Sequence, residues 1–531
     1  MNDFIIIGSG CTGAIAAKTL VDQGREVTLL DVGHIGDYST ISEGETFTNI
    51  RQTSSKQEDF FLGKEFEALA NLNQTNPSHL TPQRTFITEL VEKYLVWDAG
   101  DFNPTESLAK GGLGNAWGLG SYVYSKEELE KAGLEVNSMQ KAYKWLNQVI
   151  SISGGDDFAG NYSNGKLFQP EPGIPLDFNG ERLWKRIQTR EKSLKQMGFS
   201  VGRAPLAIST QTTKNGKTYD ADDLDFYSTG VTSAFRPINM IEQLEQTGQL
   251  RYIPNQLVTR FEELENHINV HTHNITSGKN EMFQCKKLIM AAGALGTARI
   301  TMRSASVTRL PIICNPYSFI PSIQIPLLGQ ANCGYQTGLA QMAIYYDPKK
   351  THEEVAMGSL YSYRSLMGFR LTREFPFDFK SGQAFLKLIM PAINITGVFH
   401  PESGSDTKYI ELMSDSTQIT GDFLRGTYQQ SSEELKAIKA TEKAFKRALG
   451  KLGSKAIKVK RNLAGASVHY GGTLPFNNDN CILSTHPKGK LNGYKDIYIA
   501  DGSGFRFLSG KGLTLTLMAN AHNVANYAAK D

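Results

Sequence analysis

The chain has 531 residues, of which 40% are hydrophobic, so it is long enough for two or three ordinary domains or for one large nucleotide-binding domain with a second domain inserted into it. Its 56 Lys and Arg residues against 53 Asp and Glu residues give a formal charge of +3, which is too balanced to follow a phosphate backbone and makes nucleic acid an unexpected partner. The five cysteines are odd in number and include no C-x-x-C pair, so the sequence indicates neither a disulfide framework nor a zinc site.

The first ten residues, MNDFIIIGSG, place a short apolar run directly before a glycine turn, unlike the charged segment and long apolar run of a secretory signal. Together with the scattered cysteines, this start predicts a cytoplasmic protein. No window of about 18 apolar residues occurs, so no membrane-spanning helix is expected, while peripheral contact with a membrane stays open.

The first predicted unit is a strand at residues 4–7, a glycine turn, a helix rich in Ala and Leu, and a second strand that ends at Asp31. Its glycines, Gly8, Gly10 and Gly13, have the G-x-G-x-x-G spacing that allows a tight turn, a close approach of backbone to a pyrophosphate, and close helix–strand packing. A carboxylate at Asp31 is suited to bind ribose hydroxyls. The context of strand, turn, helix, strand and acid predicts a dinucleotide-binding unit.

A second glycine-rich run, AKGGLGNAWGLGS, covers residues 109–121 and contains Gly111, Gly112, Asn115 and Ala116. Such a loop can lay backbone N–H groups against an extended cofactor where side chains would collide. By itself it is equally typical of a flexible surface loop.

Two further strands are predicted to end in glycine turns. KKLIMAAGALGTARI, residues 286–300, places Ala292 and Gly293 after an apolar strand, and KDIYIADGSGFRF, residues 495–507, does the same with Asp501 and Gly502. Short strands precede the first of them, one containing Val258. Four such turns spread over the chain can converge on one long ligand, which favours FAD over NAD.

These motifs, in this order, resemble those of the glucose–methanol–choline (GMC) family of flavin oxidoreductases. The resemblance implies an α/β fold with a Rossmann-type FAD-binding domain and an inserted substrate (cap) domain built on an antiparallel sheet. Members that bind the flavin covalently at the second glycine loop have a histidine shortly after the glycine pair, and none follows Gly112 here, so noncovalent FAD is expected.

The stretch GASVHYGGTLPF near the end of the chain contains His469, followed by Gly472 and Thr473 in the family's His-x-x-Gly-Thr pattern. The resemblance implies that His469 faces the flavin and accepts the proton of a substrate hydroxyl while hydride leaves the adjacent carbon. An imidazole, with an ordinary pKa near 6.5, is well matched to that task near neutral pH. A histidine that only packs in the core is the plainer alternative.

The sequence departs from the family pattern at SGKGLTLTLMA, where Gly512 stands in the position of the usual second histidine or asparagine. Lys511, beside it, is the candidate replacement, as an ammonium that stabilises a developing alkoxide or pairs with a substrate carboxylate. A solvated surface lysine is the equal alternative. We expect no metal in the site.

We assign residues 1–33, 100–150, 230–305 and 460–531 to the FAD-binding domain, 151–229 and 306–459 to the cap domain, and 34–99 to a lid or connecting segment. Two apolar, proline-broken stretches of the cap, residues 309–330 and 375–400, form either its ordinary core or the wall of an apolar pocket. A hydrophobic or lipid-like alcohol is therefore preferred over a bare sugar as the small-molecule substrate. The electron acceptor cannot be read from a motif.

The leading hypothesis is an FAD-dependent oxidoreductase acting on a CH–OH donor, with oxidase and dehydrogenase equally open. A redox-neutral flavoenzyme on the same fold, such as an isomerase, cyclase or decarboxylase, is the main alternative because the second His or Asn is missing. A noncatalytic FAD scaffold is disfavoured by His469. An NAD-dependent dehydrogenase would not need the 111–120 loop or the final glycine turn.

Overall fold

The computed structural model describes residues 1–36, 82–98, 100–211, 218–219, 233–330, 337–362, 388–477 and 481–531, together with Thr53 and Phe385. Most of the segment assigned as a lid, and residues 375–384 of the second apolar stretch, lie outside these ranges. Within them the chain is a mixed α/β structure with two seven-stranded sheets, one four-stranded sheet and two two-stranded sheets.

The first seven-stranded sheet is parallel at its centre, and the predicted strand–turn–helix–strand unit is present in it. Strand Asn2–Ile7 pairs with Val27–Leu30 on one side and with Asn280–Met290 on the other, and the three run parallel. Leu250–Ile253 and Ile497–Ile499 extend the parallel part, while Ile268–Asn274 and Gln256–Glu263 are added as antiparallel strands.

Both faces of this sheet are covered, as its apolar central strands require. Side chains alternate along a strand, so Phe4 and Ile6 enter one core while Ile5 and Ile7 enter another. Four helices pack on the first face: Cys11–Val21, Val136–Val149, Pro237–Gln246 and Thr514–Lys530. Helix Gly293–Ala305 packs on the second face.

The four-stranded sheet completes the second face and contains the strands Trp97–Asp98, Arg309–Pro311, Lys408–Ser414 and Asp422–Tyr428. Three of these strands fall in the range that we assigned to the cap domain. Their buried residues Leu310, Ile410 and Leu424 instead share a core with the central parallel strands. Apolar composition alone could not tell which sheet these strands would cover.

The second seven-stranded sheet is antiparallel throughout. Its strands are Phe199–Arg203, Tyr317–Ile323, Met342–Tyr346, Ala356–Tyr361, Ile393–Phe399, Lys455–Ala456 and Lys460–Arg461. Helices Phe178–Gln196 and Ser432–Lys451 pack on one face. Ser431 caps the second helix by exchanging hydrogen bonds with Glu434.

The remaining described elements are short. Two-stranded sheets join Ile313–Cys314 to Tyr470–Gly471 and Glu402–Ser403 to Phe507–Leu508. The short helices are Val91–Tyr94, Lys126–Ala132 and Gly160–Ser163, and the 3-10 turns are Pro82–Ile87, Gly112–Asn115, Ile325–Leu327, Met390–Ala392 and Gly502–Gly504. None of the described helices combines the length and apolarity that crossing a membrane requires.

Candidate active site

A cavity of about 850 Å³ lies at the carboxyl ends of the parallel strands and continues beneath the antiparallel sheet. The strands ending at Ile7, Leu30, Met290 and Ile499 all run into residues that line it. Ligands of open α/β sheets bind in this crevice because several chain turns and helix N-termini meet there. The four glycine turns predicted to converge on one ligand do meet at this cavity.

The glycines of the first turn have distinct surroundings. Gly8 has a φ of +93°, and a Cβ on Gly13 would lie 1.9 Å from the carbonyl oxygen of Gly8, so Gly13 allows the helix to pack closely on the strand. Gly8 and Gly10 line the cavity, whereas Gly13 lies behind them. A Cβ on Gly10 would meet no atom within 4 Å, which leaves its backbone open to a ligand.

Asp31 lines the cavity at the tip of the second strand, where its carboxylate is held by two hydroxyl groups. Ser9 Oγ and Tyr252 OH both donate hydrogen bonds to Asp31 Oδ2, the latter over 3.2 Å. Burial raises the pKa of Asp31 to about 6, and these hydrogen bonds oppose that rise. The two hydroxyl groups thus fix the carboxylate at the cavity, where it can accept hydrogen bonds from ligand hydroxyls.

The second glycine loop is joined to the first through Ser9, whose Oγ accepts a hydrogen bond of 2.7 Å from the Gly111 N–H. Gly112 and Ala116 line the cavity, but Gly111 and Asn115 do not. Asn115 is fully buried and supports the loop from within, since its Nδ2 donates to the Lys110 carbonyl oxygen at 2.7 Å. The loop is therefore packed against the glycine turn, which disfavours the flexible-surface alternative.

The other predicted cofactor residues line the cavity as well: Val258, Ala292, Gly293, Asp501 and Gly502. Ala292 precedes helix Gly293–Ala305, one of three helices that begin at the cavity, with Cys11–Val21 and Thr514–Lys530. The first N–H groups of these helices give the cavity a positive potential where the helices begin, which suits an anionic ligand. Asp501 accepts hydrogen bonds from Thr297 and Ser503, and burial raises its pKa.

His469 lines the same cavity on the side of the antiparallel sheet. Its ring stacks on Phe399, with the centroids 4.5 Å apart and an angle of 19° between the planes. Nδ1 lies 3.3 Å from Asn315 Oδ1. Burial lowers the pKa of His469 to about 4, so the imidazole is neutral at physiological pH and able to accept a proton.

Lys511 is not brought to the cavity. Its side chain is buried, with Nζ donating 2.8 Å to Glu128 Oε2 and 3.1 Å to the Val123 carbonyl oxygen. Ser509 Oγ donates to the other Glu128 oxygen at 2.6 Å. Lys511 is therefore neither a substrate-binding ammonium nor a solvated surface lysine. It forms a buried ion pair with Glu128 instead.

Several polar residues that sequence reasoning missed have contacts with the predicted ones. Ser9 and Tyr252 hold Asp31, Thr297 holds Asp501, and Asn315 holds His469. Ser9 sits inside the glycine motif, where it could have been noticed. Asn315 follows the apolar run IIC, in a stretch for which we predicted only apolar roles, as cap core or pocket wall.

Apolar and aromatic side chains of the antiparallel sheet form the wall on the His469 side. Strand Tyr317–Ile323 turns Tyr317, Phe319 and Pro321 to the cavity, while Ser318, Ile320 and Ser322 are buried away from it. Ile395 and Met357 add to the same wall. The first apolar stretch thus supplies both a pocket wall and core residues, so the two alternatives are not exclusive.

Comparison with known proteins identifies a solved structure with the same fold. No protein-family model matches the sequence, and no curated protein sequence matches it. Among solved structures, the crystal structure of pyridoxine 4-oxidase from Mesorbium loti aligns over 100% of both chains with a TM-score of 0.61 and 11% sequence identity. At that identity the alignment shows a shared fold, and activity has to be argued from the site.

Proposed function

We propose that the chain is an FAD-dependent oxidoreductase that oxidises an alcohol CH–OH group, with His469 as the general base. The observation that carries the proposal is that one cavity joins the glycine turn and Asp31 at one end to a neutral, stacked histidine at the other. The solved structure that shares the fold is by name an oxidase, which supports an oxidoreductase.

The residues at the nucleotide end fit a dinucleotide cofactor. The pyrophosphate would be held by the open backbone at Gly10, by Gly112 and by the N-terminus of helix Cys11–Val21. The two glycines lie close together, since a Cβ on Gly112 would come within 3.5 Å of Gly10 Cα. Asp31 would accept the ribose hydroxyls, and Val258 would pack beside the adenine. FAD, when bound, supplies the isoalloxazine ring that accepts hydride from the substrate carbon.

The chain's own part in the reaction is to orient the alcohol and to remove its proton. Asn315 Oδ1 can only accept a hydrogen bond, so its contact places the proton of His469 on Nδ1 and leaves the Nε2 lone pair free. That nitrogen takes the substrate hydroxyl proton. Phe399 keeps the ring from turning, and the surrounding apolar wall excludes water from the reacting oxygen.

The substrate we propose is a small molecule with an apolar portion that packs against Tyr317, Phe319, Ile395 and Met357. Its hydroxyl would point toward His469. Noncovalent attachment of the flavin is part of the proposal, because the loop that covers it contains no histidine after Gly112.

One observation favours a second candidate function. Gly512 lines the cavity without a side chain, and Lys511 beside it is engaged by Glu128, so the usual second polar partner of the histidine is absent from this segment. A redox-neutral flavoenzyme, such as an isomerase, cyclase or decarboxylase, would tolerate that absence.

The test begins with the absorption spectrum of the purified protein and with the flavin released by heat denaturation. A yellow protein that releases FAD supports the cofactor assignment. Benzyl alcohol, hexan-1-ol, cholesterol, glucose and lactate are then each added without oxygen, and the carbonyl product is identified. Stoichiometric carbonyl formation with flavin reduction supports the leading function, whereas turnover with the flavin oxidised throughout supports the redox-neutral alternative.

A further inference from the structure

The space beside Gly512 is filled by a tyrosine from another part of the chain. A Cβ placed on Gly512 would lie 2.7 Å from Cδ2 and 3.0 Å from Cε2 of Tyr122, and 3.3 Å from the Gly120 carbonyl oxygen. A larger side chain at position 512 would therefore collide with the Tyr122 ring. The ring occupies the volume that a polar side chain of residue 512 would need.

Tyr122 is only 2% exposed, yet it lines the cavity, as do Gly120, Gly512 and Ser359. Among the described residues none meets the geometry of a hydrogen bond with its hydroxyl group. Burial raises the pKa of Tyr122, and the side chain of Ser359 opposes that rise. A buried hydroxyl without a partner is destabilising, because it has lost its hydrogen bonds to water and gained none in exchange. Such a group at a cavity wall is explained when a ligand supplies the partner.

Packing holds the Tyr122 ring in place from behind. It meets Tyr345 edge to face, with the centroids 6.2 Å apart, and shares a buried cluster with Ala343, Val355 and Met357. Phe399 packs against this same cluster and also stacks on His469. Tyr122 and His469 thus lie at the wall of one cavity and are linked through the packing of Phe399 against this cluster.

We propose that the Tyr122 hydroxyl donates a hydrogen bond to the substrate oxygen and so replaces the missing second partner of His469. The inference rests on the proposed alcohol oxidation. During that reaction the substrate O–H proton passes to His469 Nε2 and hydride leaves the carbinol carbon for the flavin. Tyr122 keeps its own proton throughout and stabilises the charge that develops on the oxygen.

The test compares Tyr122→Phe with Tyr345→Phe. The first variant keeps the ring beside Gly512 and removes only the hydroxyl. The second makes the same change to its neighbour, whose hydroxyl bonds Ser163 Oγ at 2.8 Å and does not line the cavity. The probes are the alcohol of the panel above that reduces the flavin fastest, and its aldehyde or ketone product. Four properties are measured: bound FAD, Tm, the anaerobic rate of flavin reduction, and the Kd of the carbonyl product from its perturbation of the oxidised flavin spectrum.

Tyr122→Phe is expected to retain FAD and to melt within a few degrees of the wild type, because its hydroxyl has no protein partner to lose. Flavin reduction should slow at least about 10-fold, and the Kd of the product should rise about 10-fold, while Tyr345→Phe leaves both near the wild-type values.

Two results would overturn the inference while leaving the alcohol oxidation intact. In one, Tyr122→Phe reduces its flavin and binds the product as the wild type does. In the other, the variant retains less FAD than the wild type, while the fraction that keeps FAD binds the product with the wild-type Kd, which would assign the hydroxyl to the cofactor. If no alcohol reduces the wild-type flavin, the proposed function itself fails, and Tyr122 has no substrate oxygen to bind.

Discussion

The Oδ1 atom of Asn315 lies 3.3 Å from Nδ1 of His469, and the rest of the amide is fixed by the main chain. Asn315 Nδ2 donates to the carbonyl oxygens of His400, Leu508 and Ser509 at 2.8, 3.3 and 3.0 Å. Three acceptors around the amide nitrogen leave only the oxygen to face the imidazole. Asn315 therefore determines the tautomer of the proposed base.

Replacing Asn315 should affect the chemistry through His469. Asn315→Ala removes the acceptor, so the imidazole can carry its proton on Nε2, and we expect flavin reduction to slow about 10-fold or more at unchanged FAD content. Asn315→Asp keeps an acceptor but adds a negative charge, which raises the pKa of a neighbouring imidazole. In that variant the acid limb of the rate profile should move toward neutral pH. If the acid limb of the Asn315→Asp variant did not move, residue 315 would not interact with the proposed base.

The wild-type enzyme should keep its reduction rate in mild acid. Burial lowers the pKa of His469 to about 4, so the basic, neutral form persists as the pH falls below 6.5. Between pH 7.5 and 5.5 the anaerobic rate of flavin reduction should be nearly flat. An unperturbed histidine with a pKa near 6.5 would leave about a tenth of the rate at pH 5.5. A rate that halves near pH 6.5 would contradict the burial of the base in the working enzyme.

Two glycines of the first turn should respond differently to substitution. Gly10→Val places a side chain in open cavity space with an ordinary backbone conformation, so we expect a folded protein that holds no flavin and melts near the Tm of the flavin-free wild type. Gly13→Ala drives a methyl group against the Gly8 carbonyl, 1.9 Å away, and should lower the Tm. Thermal melts and flavin content distinguish the two. Full flavin occupancy in Gly10→Val would show that the cofactor does not approach this backbone.

Lys511 should matter for stability. Lys511→Met leaves the buried Glu128 carboxylate without its cation, which typically costs roughly 3–5 kcal/mol. Lys511→Met combined with Glu128→Gln removes both charges and should recover part of the loss. Urea unfolding measures the free energies, and anaerobic flavin reduction of the folded double variant measures the chemistry. A stable Lys511→Met variant with a large loss of reduction rate would return Lys511 to the active site.

The sequence predicted the local features of this site. Each of these features occupies a short stretch of sequence, so its backbone requirements can be recognised locally. They are the glycine turns between strand and helix, the acid after the second strand, and the small residues around His469. These features place Gly8, Gly10, Asp31, Ala292, Asp501 and His469 at one cavity in the structure.

The contacts that complete the site join residues far apart in the chain. His469 and Asn315 are 154 residues apart, and Lys511 and Glu128 are 383 apart. No local pattern marks such a pair, because each member is chosen by the packing of different elements. The four-stranded sheet was not predicted for the same reason, since its strands come from distant parts of the chain and three of them fall in the range that we assigned to the cap domain.

The most direct test of the account is the rate of flavin reduction by an alcohol in the absence of oxygen, measured for the wild type, His469→Ala and His273→Ala. His273 lies on a hairpin and does not line the cavity, so it provides the matched control. We predict that the oxidised-flavin absorbance of the wild type and of His273→Ala is bleached at similar rates by at least one alcohol. His469→Ala, with the same FAD content, should be slower by about 100-fold or more. A wild-type flavin that stays oxidised while substrate is consumed, or a His469→Ala variant that bleaches as fast as the wild type, would contradict the account.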